Sequence, residues 1–160
     1  MKTRILILSA LVSGALLTIL PACASKTAAE KPMQSGAMLV DTYWKLGQIG
    51  DRVITTPQGA REIYFTMEPD NQRVAGFSGC NRMMGAYALN GSQLKFDQMA
   101  GTKMACPGTA METENEFLAI FPRVAKWEIS GQTLRLLDDG GKTLATFQAR
   151  APEQTGSQPK

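Results

Sequence analysis

Histidine is absent from all 160 residues, and that absence excludes more than any feature that is present. Without an imidazole the chain builds no Ser–His–Asp or Cys–His nucleophile, no imidazole metal site and no imidazole pH switch. Cysteine is scarce, at three, and charge is modest, with 17 bases against 14 acids. Losing the first 22 residues removes Lys2 and Arg4 and brings that balance close to neutral. Nucleic-acid binding needs a basic stripe, and charges spread along the chain do not supply one, so no nucleic-acid partner is expected. At 44% hydrophobic and 19% charged, the chain is neither disordered nor a multi-span membrane protein. Its length fits one domain with a proper core.

What is present begins with an export address. Lys2 and Arg4 form a short basic region, residues 5–20 carry no charge, and Leu20-Pro21-Ala22-Cys23 closes the segment. Leucine three places before a cysteine resembles the lipobox of bacterial lipoproteins. That resemblance implies cleavage before Cys23 and acylation of its thiol and new amine (palmitate or similar chains). Pro21 departs from the Ala or Ser more usual there. Plain secretion with a cut after Ala22 is one alternative. A retained membrane helix is another, against which stand Gly14, Pro21 and the lack of a positive flank before Lys26. Each buried methylene contributes about 0.8 kcal/mol, and two or more chains anchor stably. Ala24 and Ser25 stand where an Asp retains many lipoproteins in the inner membrane. The resemblance therefore places the protein on an outer membrane, facing the periplasm.

The chain divides into a lipoprotein signal peptide at 1–22, a lipidated flexible tether at 23–40, a domain at 41–150 and a disordered tail at 151–160. Within the domain, Ile63, Phe65 and Met67 alternate with polar neighbours, as do Leu94 with Phe96 and Trp127 with Ile129. Residues 43–49, 73–78, 83–89, 133–137 and 143–149 complete about eight short strands. Asn90-Gly91 predicts a type I′ hairpin with both central residues at positive φ. Thr109-Ala-Met-Glu112 has capping-box spacing and opens a helix of roughly 109–121, whose Phe117, Leu118, Phe121 and Val124 share a face. Pro122 makes its last turn irregular. The expected fold class is α+β: a strongly curved antiparallel sheet, an incomplete barrel, with one helix.

The most distinctive text is Gly76-Phe-Ser-Gly79-Cys80-Asn81-Arg82, then Gly85-Ala-Tyr87, then Met104-Ala-Cys106-Pro107. With Trp44-x-Leu46 and Gly131-x-x-Leu134-x-Leu136 it resembles the META domain (HslJ-like) family over 41–150. The resemblance implies an α+β fold, an envelope setting, a link to heat or antibiotic stress in some members, and no established enzymatic activity. Trp44, Gly76, Gly79, Asn81, Gly85 and Tyr87 are accordingly read as the structural motif. Cys80 and Cys106 are the two cysteines left after lipidation, and in an oxidising compartment a bridge is expected over two buried thiols. The glycines do not form a phosphate cradle, because a strand and not a helix follows them. Glu112, Glu114 and Glu116 read as a solvated helix start.

Eight methionines follow Cys23, and Met83, Met84, Met99, Met104 and Met111 gather in sequence near the two cysteines. Core packing is the first reading. An apolar groove lined by Met83, Met84, Phe117 and Phe121 is the second, and a soft copper site the third. The function expected is a lipid-anchored binding or envelope-maintenance module without catalysis, cofactor or bound metal. Its partners would be the membrane and a hydrophobic ligand or envelope protein. Copper binding and a hydrolase of undefined type are the alternatives.

Overall fold

Alternation along the strands decides which side chains meet inside. In β1 (Tyr43–Ile49) Trp44 and Leu46 are buried, and in β3 (Tyr64–Glu68) Phe65 and Met67 are. Val74 of β4 (Arg73–Phe77), Met83 and Tyr87 of β5 (Arg82–Asn90) and Leu94 of β6 (Gln93–Gly101) continue that inner face. After α1 (Ala110–Ile120) and a 3₁₀ turn (Phe121–Arg123) come β7 (Lys126–Ser130), β8 (Thr133–Leu137) and β9 (Thr143–Arg150). The computed structural model describes residues 36–150. The expected signal peptide, Cys23, most of the expected tether and the expected tail lie outside the described residues.

All pairings are antiparallel, and each strand from β3 to β9 pairs with the next. β1 pairs with both β3 and β9, so the two ends of the sheet meet. The closure is thin between β6 and β7, where Gln93 opposite Lys126 is the single register pair. Packing of the 3₁₀ turn against β6 covers that seam, with Phe121 edge-on to Phe96 at 4.9 Å. The result is a strongly curved sheet with one helix, an α+β incomplete barrel. Among the described residues every buried core side chain lies between Leu39 and Phe147, so the domain carries its own core.

Three local expectations shift. The two-residue β2 (Arg52–Val53), an addition to the edge of β1, has no periodicity to reveal it. In the β5–β6 hairpin Asn90 pairs with Gln93, so the turn residues are Gly91 and Ser92, and only Gly91 has positive φ, at 57°. This register puts Leu89 opposite Leu94 and Tyr87 opposite Phe96; a one-residue slip would turn Leu94 out of the core. The capping box does not form: Thr109 makes no side-chain cap bond, although its carbonyl accepts from Thr113 N at 3.0 Å. The acid expected to close that box is not the one the fold uses.

Candidate functional site

Beneath the start of the helix, a strand end and a loop converge on one buried carboxylate. Gly79 turns the chain at φ +116, a conformation strained for any side chain. The N–H groups of Cys80 and Asn81 on the far side of that turn both point at Glu114 Oε2, at 3.4 and 2.8 Å. The Ser78 hydroxyl reaches the same oxygen, and Asn81 Nδ2 donates to Oε1 at 2.8 Å. Glu114 sits one turn before Phe117 and two before Phe121, so burial of those rings carries the carboxylate inward, to 8% exposure.

Asn81 joins this carboxylate to the next segment. Its Oδ1 accepts from Met104 N at 2.7 Å and from Thr102 Oγ1 at 2.8 Å, while Nδ2 also donates to Met104 O at 3.3 Å. Thr102 Oγ1 in turn accepts from Arg82 N at 3.2 Å. Cys80 and Cys106 form a disulfide with Cα atoms 5.8 Å apart. The loop between β6 and the helix is thus fixed to the start of β5 by a covalent bond and by the Asn81 amide. Burial pushes the Glu114 carboxyl upward, but hydrogen bonds from Ser78, from the Asn81 side chain and backbone, and from Cys80 outweigh it and hold it below the ordinary value. A lowered carboxylate is a weak base, and Ser78 is fully buried, so the pair clamps the loop and does not present a nucleophile.

The motif residues have physical roles nearby. Trp44 is fully buried with its indole N–H on Leu39 O at 2.8 Å, and Tyr87 donates its hydroxyl to Glu68 O at 3.1 Å. A Cβ on Gly76 would collide with the Tyr64 carbonyl, and one on Gly85 would lie 2.5 Å from Met99 Sδ. Met83, Phe117 and Phe121 are core residues at 1% exposure or less, whereas Met84 faces outward at 49%. The four therefore do not line one surface. Of the other clustered methionines, Met104 and Met111 are exposed, and Met99 packs at the core margin. Among the described residues no three His, Cys, Asp or Glu gather to hold a metal.

Glu114, Ser78 and Thr102 were not singled out by the sequence as a site. Glu114 is buried and not solvated as its run of acids suggests, and one signal shows it: it shares the helix face of Phe117 and Phe121, whereas Glu116 points outward to Arg52. Ser78 and Thr102 left no such trace, because their partners lie 36 and 21 residues away.

A curved antiparallel sheet bolted to one helix by a Cys–Asn–Glu clamp defines a small α+β module. The family model of the META domain matches residues 37–151, and the chain belongs to the META domain family. A protein from Burkholderia xenovorans solved by NMR is 31% identical, with TM-score 0.58, over 71% of this chain and 84% of its own. Another NMR structure, 20% identical with TM-score 0.55, covers 69% of this chain and 90% of its own and shares the fold. No curated protein matches the chain.

Proposed function

We propose that this META-domain protein is a lipid-anchored module facing the periplasm from an outer membrane. In this reading it serves envelope maintenance under stress by binding a hydrophobic ligand or an envelope protein, without catalysis. The observation that carries the reading is the Cys80–Cys106 disulfide at the centre of the motif. Such a bond belongs to an oxidising compartment, which agrees with the export address ahead of Cys23. The clamp supports a non-catalytic role, since its carboxylate, hydroxyl and amide are committed to one another. In-envelope crosslinking of the wild-type protein tests the binding role: a recurrent lipid or envelope-protein adduct is expected. Turnover of generic ester or peptide substrates by the purified protein would overturn the non-catalytic reading.

A further inference from the structure

The seven arginines within residues 36–150 fall into two groups. Arg52, Arg123, Arg135 and Arg150 each face a carboxylate, from Glu116, Asp138, Glu128 and Glu62. Arg61, Arg73 and Arg82 face none among the described residues. Arg73 is balanced by its surroundings, because Glu68 is its register partner on β3 and Asp97 lies two strands away in the same row. Arg61 and Arg82 have no such balance.

Both lie on the outer side of β3, β4 and β5. Gln148, Lys45, Tyr64, Phe77 and Arg82 form one register row across five strands. The buried Trp44, Phe65 and Met83 alternate with that row, which therefore faces away from the core. The Arg61 guanidinium lies 4.5 Å from the Phe77 ring centre and 5.7 Å from that of Tyr64, and donates to Tyr64 Oη at 3.2 Å. Tyr64 stacks on Tyr43 at 4.2 Å. Lys45 and Arg150 converge on Glu62 at 2.8 and 2.6 Å, so that carboxylate is already held twice. The adjoining row of Thr66, Ala75 and Met84 carries no charge, and Met84 is half exposed.

We propose that this outer face, carried on β1, β3, β4 and β5, docks against the anionic headgroup surface of a lipid bilayer. Arg61 and Arg82 meet the lipid phosphates, and Met84 is the apolar contact. Arg61 and Arg82, which face no carboxylate among the described residues, supply the charge complementarity beside the Lys45–Glu62 pair. A guanidinium fork matches phosphate oxygens, and the rings behind Arg61 hold its plane ready. Apolar side chains flanked by cations are what an interfacial contact requires. The geometry of attachment agrees: about 13 residues separate Cys23 from Gly36, a reach of at most about 45 Å, enough to let this face lie against the membrane. That last point rests on the proposed anchor, whereas the charge argument does not.

The test uses residues 24–160 without acyl chains, which retain every core side chain among the described residues and both ends of the sheet. Co-sedimentation is measured with vesicles containing phosphatidylglycerol and with vesicles of phosphatidylcholine alone. Binding is expected to the anionic vesicles only, and to fall as salt rises. Arg61→Gln with Arg82→Gln should lower the partition coefficient about 25-fold, roughly fivefold for each arginine. Arg61→Lys with Arg82→Lys, which retains the charge, should keep most of it, and Arg52→Gln with Arg135→Gln should change little. A thermal melt matched to the parent shows that each variant is folded. Equal binding by parent and Gln variant, absence of binding to anionic vesicles at low salt, or full release by millimolar inorganic phosphate would each overturn the proposal. Because the protein tested has no acyl chain, failure here leaves the anchor at Cys23 untouched, and failure of the anchor leaves this result standing.

Discussion

Glu114 has four donors directed at it and no cation beside it among the described residues, so oriented dipoles hold its charge there. Replacing it by Ala takes the acceptor from the Cys80 and Asn81 backbone N–H groups, while the Ser78 hydroxyl keeps Asn81 O and the Asn81 amide keeps Met104 O, and should cost on the order of 3 kcal/mol. Its pH dependence has a definite sign. A carboxyl held below its ordinary value in the folded state stabilises the fold above the ordinary carboxylate range. That contribution is lost as pH falls through the lowered native value. Glu62 acts in the same direction: burial raises it, but Lys45 and Arg150 bring it down further. Thermal melts from neutral to acid pH should therefore show a falling midpoint, and Glu114→Gln should flatten the curve. The adjacent methionines separate just as clearly. Met83→Ala should cost about 2–5 kcal/mol, because it empties a core position, whereas Met84→Ala on the outer face should cost under about 1 kcal/mol. Comparable losses for the two variants would contradict the register of β5.

At the scale of elements, the helix start and the loop before it behave differently from a self-contained helix. Thr109 makes no side-chain cap bond, so Thr109→Ala should change stability by only a few tenths of a kcal/mol, against about 1 kcal/mol for a working N-cap. The disulfide and the Asn81 amide do the holding instead. The bridge spans 26 residues, and by loop entropy it contributes about 3 kcal/mol. Folded 24–160 should resist thiol labelling until reduced under denaturing conditions, and reduction should lower its urea midpoint. Full labelling of the folded, air-exposed protein would contradict the pairing. Strand positions were legible because alternation reports burial directly: β1, β7 and β8 span the expected residues. The turn between β5 and β6 was legible only to within one residue, since the choice between Asn90-Gly91 and Gly91-Ser92 is made by Leu94 entering the core.

For the whole molecule, the proposed anchor at Cys23 makes a prediction of its own. Cys23→Ser should abolish acylation and either release the domain from the membrane or leave an uncleaved precursor. Fractionation and the N-terminal mass of the mature protein check this, and a soluble wild-type product beginning elsewhere would contradict it.

What the sequence by itself determined is everything encoded within a short window. Alternating burial, turn glycines, the helix and the order of motif residues are all local, and together they define a curved antiparallel sheet with one helix in the META domain family. Three things were decided by tertiary structure alone. The meeting of β1 with β9 joins segments about a hundred residues apart. The burial of Glu114 depends on donors more than 30 residues away. The exposure of Met84 beside a buried Met83 depends on which face of β5 the curvature turns inward. Periodicity tells which residues share a face; it takes closure of the sheet to choose the inside, and a buried charge is stable only where closure has brought its donors to it.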